Sequence, residues 1–277
     1  MKIYLIISIL LILNTAKAQE FTNIDTVLFN CKYFYEFKQD STDVNSVRNA
    51  VMVLQVGKHL AKFINENKMF SDSILFSHKD EPFTQAKMHK ILPLIQGAPT
   101  HIYTRYRLYN NYPKKGKTLM TGYFNKQQLE VIEDNSIKWK VEEESDTVIL
   151  GYKCLKANTE LWGRKFEAWF APDIPIFYGP YKFIGLPGLV LKVSDHQNQH
   201  CFTLIEIKKE QGIHPIYFVD NNYTEVSPKD FVKALEIYIA NLYSRVSQND
   251  GIVLNSDETK ARSLNNLKSR NNFIEKY

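Results

Sequence analysis

Few side chains in this sequence are spaced for chemistry, and each group that is has a structural explanation beside it. Asp195, His196, His200 and Cys201 form a metal-like cluster. Histidines spaced as His196 and His200 are would share one face of a helix, as zinc ligands do. Here they stand among Gln and Asn between two apolar runs, the setting of a polar hairpin loop, so no metal is expected. Cys154 follows Lys153, and a neighbouring cation can lower a thiol pKa. Its place inside a predicted strand favours burial instead. Glu142, Glu143, Glu144 and Asp146 supply paired carboxylates, but consecutive acids at a strand end read as a solvated turn. The sequence has no Gly-x-Ser-x-Gly elbow, no phosphate-cradling glycine loop and no dinucleotide fingerprint. Neither a catalytic residue nor a cofactor is expected.

The segment from Pro172 to Val193 is different. It holds four prolines and three glycines among apolar side chains, where loops usually carry polar ones. Pro fixes φ and Gly permits positive φ, so the stretch has a defined irregular backbone. Leu186-Pro187-Gly188 reads as a turn that leads straight into a strand. Asp173 and Lys182 lie within the segment, and Arg164, Trp169, Tyr178 and Tyr181 are candidates to surround it. With Gly185, Leu186, Pro187 and Gly188, these residues form the candidate surface for a ligand or partner. Aromatics mixed with a few charges suit such contact. The competing explanation puts the aromatics in the core, has Asp173 cap the loop and leaves Lys182 exposed.

Alternation makes the supporting elements legible. Cys31, Tyr33, Tyr35 and Phe37 fall on one face of a first strand, and Ala50 to Val56 is a second apolar run. Ile102 to Leu108 reads as a further strand. Ile137, Trp139 and Val141 alternate with Lys138, Lys140 and Glu142, the pattern of a half-buried strand. A turn at Ser145-Asp146, a strand from Val148 to Ala157 and another from Lys165 to Ala171 complete a predicted meander. Leu189 to Val193 pairs with Phe202 to Ile207 across a polar connection. Helical spacing runs from Phe83 to Ile95, with Pro93 leaving its end open. It recurs from Ser227-Pro228 through Phe231, Leu235, Ile239 and Leu242, a stripe expected to pack on the sheet. The predicted class is α+β, a predominantly antiparallel, curved, half-barrel-like sheet with a few helices on one face.

Gly185-Leu186-Pro187-Gly188-Leu189-Val190 resembles the motif for which the GLPGLI family is named, a group of exported proteins of Gram-negative bacteria with no established activity. Ile149-Leu150-Gly151-Tyr152-Lys153-Cys154, Gly163-Arg164, Ala168-Trp169-Phe170, Pro172-Asp173-Ile174-Pro175 and Gly179-Pro180 match the family's pattern in order. Asn271-Asn272-Phe273-Ile274-Glu275 is similar to its C-terminal signature, with Phe273 where Pro is usual. Val190 stands where the motif has Ile. The resemblance implies export and carries no chemistry with it.

The amino terminus agrees. Lys2, an apolar run from Ile3 to Leu13, and Ala16-Lys17-Ala18 read as the three parts of a cleavable signal, residues 1–18. The apolar run is shorter than the ~20 residues a membrane-spanning helix needs, so no transmembrane anchor is expected. Cleavage between Ala18 and Gln19 leaves no amino-terminal Cys for lipid attachment, which points to the periplasm or secretion. A single β-rich domain is expected over 19–246, followed by a polar, loosely docked tail over 247–277. The formal net charge of +5 is spread along the chain, without the basic stripe that nucleic acid requires. Of Cys31, Cys154 and Cys201, two could bridge in any of three pairings, or all three could be buried thiols.

An exported β-rich chain without a catalytic constellation is expected to bind, as a periplasmic carrier or chaperone-like factor for an apolar small molecule or a peptide. One alternative is an accessory protein docking on an outer-membrane protein. Another is a hydrolase using Asp173 with an adjacent His.

Overall fold

The computed structural model describes residues 20–82, 84–96, 106–124, 127–248 and 256–277. The signal segment, Phe83 and residues 102–105 of the strand expected from Ile102 lie outside the described residues.

Alternating apolar residues assemble the central sheet row by row. In β2 (Phe29–Lys38), Cys31, Tyr33 and Tyr35 share one face and are buried. Cys31 stands opposite Leu54 of β3 (Val47–Val56), Leu54 opposite Phe63 of β4 (Ala61–Asn65), and Phe63 opposite Leu108 of β5 (Tyr106–Asn110). The row continues through Met120 of β6 (Lys117–Phe124) and Val131 of β7 (Gln127–Asp134). None of the side chains in this row is more than 3% exposed. Such cross-strand neighbours are the unit of sheet stability.

From the other edge of β2 the sheet extends through β12 (His200–Lys209), β11 (Leu189–Asp195), β10 (Arg164–Ala171), β9 (Tyr152–Leu161) and β8 (Lys140–Ile149). A short β14 (Thr224–Glu225) pairs parallel with β7; the other pairings are antiparallel. The resulting sheet of twelve strands is not closed into a barrel, since β14 and β8 are its two edges. A separate ribbon is made by β1 (Glu20–Thr26) and β13 (Pro215–Asp220). The fold is α+β-like, mostly sheet, with helices α1 (Glu66–Ser77), α2 (Gln85–Gln96), α3 (Pro228–Gln248) and α4 (Asp257–Lys268).

Several elements differ from the sequence expectation. Helices occupy both faces of the sheet. α3 lies on the face that carries Phe124, while α1 covers the opposite face through Asp72, which meets Arg107 of β5 at 2.7 Å. Burial alone would raise the Asp72 carboxyl, but Arg107 and Lys68 outweigh it and hold it well below the usual carboxylate range. α1 has no strong apolar stripe; what starts it is Asn65, whose side chain accepts from the Asn67 and Lys68 amides. The hairpin joining β8 to β9 turns at Leu150-Gly151, not at Ser145-Asp146. Both turn residues have positive φ, 49° and 82°, as a two-residue hairpin loop requires. The acidic run is absorbed instead as a register shift between Glu142 and Asp146. Pro93 lies inside α2 without ending it.

Two segments outside the regular elements pack against the body. Residues 172–188 fold back over the sheet, and most of the stretch from Ile176 to Leu189 is buried. A buried loop must pair its backbone polar groups. Asn110 donates to the Tyr181 carbonyl, Trp139 Nε1 to the Ile184 carbonyl, and the Val190 amide to the Tyr178 carbonyl. The terminal stretch is not a loose tail either. Ser256 caps α4, and beyond that helix Asn272 and Glu275 are buried against the body.

Candidate functional site: an aromatic cavity beneath helix α3

α3 begins as its sequence predicts. The Ser227 hydroxyl accepts from the Asp230 amide and donates to the Asp230 carboxylate. One turn in, Phe231 is 3% exposed and packs edge-on against Phe124, with ring centroids 5.1 Å apart. That approach needs a glycine beneath it, because a Cβ on Gly122 would lie 2.7 Å from the Phe231 ring. Beyond Phe231 the stripe does not seal onto the sheet. Leu235, Tyr238 and Ile239 stay half-buried and form one wall of a cavity of about 200 Å³.

The sheet supplies the facing wall with Tyr35 and Phe37 of β2, Tyr106 of β5, and Met120 and Phe124 of β6. Tyr35 stacks on Phe37 at 4.9 Å and on Phe202 at 4.0 Å, which fixes its ring plane. Tyr181 enters from the Pro/Gly segment. Its φ of 54° is in the left-handed region, a costly place for a bulky side chain. The Tyr181 hydroxyl donates to Glu275 at 2.5 Å, and its ring packs edge-on against Tyr106. The last wall is the terminal segment itself, through Arg270, Asn272, Phe273, Ile274 and Glu275.

Polar groups meet the cavity at a few points, and their states follow from their partners. His200 Nδ1 is 2.8 Å from the Tyr35 hydroxyl. Burial, reinforced by the nearby Arg164 charge, pushes the His200 imidazole down to about 3, so it is neutral over the physiological range. Its Nε2 lies near Asn272 and the Phe273 carbonyl without a well-formed hydrogen bond. Glu275 is engaged on both oxygens, by Tyr181 and Lys182 on one and by the Tyr277 hydroxyl on the other. Gln39 donates its amide to the Asn266 carbonyl and to the Ser269 hydroxyl. Arg270 stands at the exposed rim with its guanidinium on Asn266.

The residues proposed from the sequence to contact a ligand or partner are dispersed around this cavity, and of those only Tyr181 lines it; His200 of the metal-like cluster lines it as well. Arg164 is buried behind His200. Its guanidinium meets Asp195, Gln199, the Asn272 side chain and the carbonyls of Phe273 and Ile274. Lys182 is also buried, not exposed, and bridges Glu133 and Glu275. Burial raises the Glu133 carboxyl, and Lys182 offsets this only in part. Tyr178 is half-buried and hydrogen-bonded to Asn111 and the His59 carbonyl. Trp169 donates to Glu167. Leu186 is buried, while Gly185 and Pro187 are exposed. At Gly188 a Cβ would lie 2.2 Å from the Ala171 carbonyl oxygen, so the motif's second glycine is a packing requirement.

Asp173 is exposed and, among the described residues, makes no side-chain hydrogen bond or ion pair, so the acid–histidine pair of the hydrolase alternative is not assembled around it. Asp195 caps the β11–β12 turn by accepting from the Gln199 and His200 amides. His196, by contrast, is exposed. Among the described residues no group of three or more His, Cys, Asp and Glu side chains is arranged around a metal position. All three cysteines are free thiols, and burial pushes Cys31 up to about 12 and raises Cys154 as well. Neither Cys31 nor Cys154 is an activated nucleophile.

The site and sheet together define a protein of mostly antiparallel sheet with an aromatic cavity walled on one side by a helix and on another by the terminal segment. Residues 159–192, from β9 through the Pro/Gly segment into β11, match the model of a family described as a protein of unknown function (Porph_ging). Two solved structures, "Structure of PNGF-II in P21 space group" and "Structure of PNGF-II in C2 space group", resemble it at a TM-score of 0.45 and 16% identity. The match covers 76% of this chain and 33% of each of theirs, so the matched region spans about a third of their length. No curated protein matches the sequence.

Proposed function

We propose that this chain is an exported binding protein that holds an apolar ligand between the sheet and α3. The observation that carries the reading is the helix stripe. Leu235, Tyr238 and Ile239 face a cavity lined by aromatic rings and remain half-buried. An amphipathic helix ordinarily seals its apolar stripe into a core, and a concave, mostly apolar site with few polar groups is what small-molecule binding uses.

Burial of the Pro/Gly segment supports this reading over a loop displayed for docking on an outer-membrane protein. The segment contributes a wall residue, Tyr181, and ties itself to β5 through Asn110. Export through residues 1–18, a half-barrel-like curvature of the sheet and membership of the GLPGLI family belong to the same proposal. The family motif at 185–190 falls within the residues the family model matches.

The test is titration of the purified protein with an uncharged, environment-sensitive naphthalene dye, alongside organic extraction of protein taken from its native host. Saturable one-to-one dye binding, lost when Leu235→Trp fills the cavity, is the expected result. No dye binding and no co-extracted ligand would sink the reading.

A further inference from the structure

We infer that Lys62 is a proton-operated latch: the β1–β13 ribbon is docked on the sheet while Lys62 is neutral and lifts more readily once Lys62 carries a proton. The latch lies on the face opposite the cavity and is independent of the binding reading. In β4, Lys62 stands opposite Gln55 of β3 and Tyr109 of β5. Lys62 is 1% exposed, and its Nζ donates to the Tyr217 carbonyl of β13 at 3.1 Å. Nζ also lies 4.1 Å from the centre of the Tyr217 ring and 5.6 Å from that of Tyr109. Tyr217 is the cover over this lysine. It stacks on Phe76 of α1 at 4.8 Å and meets Phe21 of β1 edge-on at 5.3 Å. The ribbon's two strands pair with each other and not with the large sheet, so it can lift without breaking a ladder.

The charges around Lys62 do not balance. The carboxylate that acts on it is Asp72 of α1. Arg107 of β5 holds both Asp72 oxygens at 2.7 Å, while Lys68 of α1 meets one of them. Lys62 is left with a neutral carbonyl and ring faces, in a cluster where Lys62, Lys68 and Arg107 share one anion. Burying an ammonium away from any carboxylate contact favours its neutral form. Burial, with repulsion from Arg107 and Lys68 that Asp72 offsets only in part, brings Lys62 down to about 7. Lys68 is also lowered by burial but keeps its carboxylate contact. Burial raises the Tyr109 and Tyr217 hydroxyls, so they stay protonated near neutral pH, and Tyr223 stands near Arg107 and Tyr109.

With the ribbon lifted, Lys62 meets water and titrates near ~10.4. Between about 7 and that value the lifted form binds more protons than the docked one, so lifting grows as pH falls toward 7 and levels off below about 6. Amide exchange over Glu20–Thr26 and Pro215–Asp220, corrected for its intrinsic pH dependence, measures this in the full protein. From pH 9 to pH 7 the lifted fraction of the parent should rise on the order of fiftyfold, with β3 and β5 protected throughout. In Lys62→Met that rise should be nearly absent, and Lys62→Gln, which keeps a polar head without the charge, serves if the methionine variant does not fold. Ribbon exchange that responds to pH as strongly in the variant as in the parent overturns the inference. So does a parent ribbon insensitive to pH, or a response shared equally by the whole sheet.

Discussion

The Arg164 guanidinium donates to the Asn272 side chain at 2.6 Å, joining residues 108 positions apart. The same group pairs with Asp195 and holds the Phe273 and Ile274 carbonyls. One cation therefore closes the β11–β12 turn and the terminal wall of the cavity at once. Arg164→Ala leaves the Asp195 carboxylate buried without its partner, a loss on the order of 3–5 kcal/mol. Arg164→Lys keeps the charge but cannot span five acceptors. Its expected signature is faster amide exchange over residues 270–277 than in the parent, with the sheet still protected. Unchanged exchange there would show that Arg164 does not hold the strap.

The two glycines of the Leu-Pro turn should respond differently to alanine. Gly185 has a φ of 91° and open space where a Cβ would go, so Gly185→Ala should cost about 1–2 kcal/mol of backbone strain. At Gly188 the same change adds a collision with the Ala171 carbonyl at 2.2 Å, on top of a φ of 157°. Denaturant unfolding should place Gly188→Ala well below Gly185→Ala in stability. Equal midpoints would contradict the packing role assigned to Gly188.

His200 makes stability depend on pH with a definite sign. Its imidazole titrates near 6.5 when unfolded and near 3 in the fold, where burial and Arg164 oppose the charge. Between those values the unfolded chain binds more protons, so the contribution is fully present above about 6.5 and is lost as pH falls toward 3, at up to ~1.4 kcal/mol per pH unit. Asp72, held low by Arg107 and Lys68, adds acid lability from about pH 5 downward, where an unfolded Asp begins to protonate, and does so equally in the parent and the variant. Unfolding measured from pH 7 to pH 4.5 should therefore be steeper for the parent than for His200→Gln. Parallel curves would mean that His200 takes up its proton without cost to the fold.

Filling the cavity from the helix side should remove binding without removing the fold. Leu235 is half-buried on α3, above the gap and not within the close-packed rows of the sheet. Leu235→Phe should keep or slightly raise the melting temperature, since added apolar volume meets empty space. Dye affinity should fall at least tenfold. A variant that loses stability and binding in parallel would indicate that α3 is already seated and the cavity is not a site.

Much of this architecture follows from local pattern. The alternation of Cys31, Tyr33 and Tyr35 and the Ser227-Pro228 helix start each reflect a rule acting within a few residues, and each element lies where that rule predicts. The chain also reverses at Leu186-Pro187-Gly188, but in a three-residue turn closed by the Gly188 amide on the Leu186 carbonyl, not in the four-residue turn that Pro-Gly suggests. The hairpin at Leu150-Gly151 is harder to read because the acids at 142–146 offer a more polar turn. A register shift within β8 accommodates those acids, and Gly151 supplies the positive φ a tight hairpin needs. α1 leaves no clear periodic signal because it is held by a cap and a buried charge pair rather than by an apolar stripe.

The cavity belongs to the other category. Its walls come from β2, β5, β6, the Pro/Gly segment, α3 and residues 270–275, and no window of sequence contains more than a fragment of it. Tyr35, Phe37 and the α3 stripe are legible in the sequence as apolar faces, but not as faces that meet across a gap. That depends on how far the helix stands from the sheet, which Phe231 over Gly122 and the strap held by Arg164 determine together. Arg164 and Lys182 stand out in the sequence as charges beside an apolar loop. Only the tertiary structure shows that both are buried struts for the terminal segment, because their acceptors, from Glu133 to Glu275, are scattered along the chain and become neighbours only through folding.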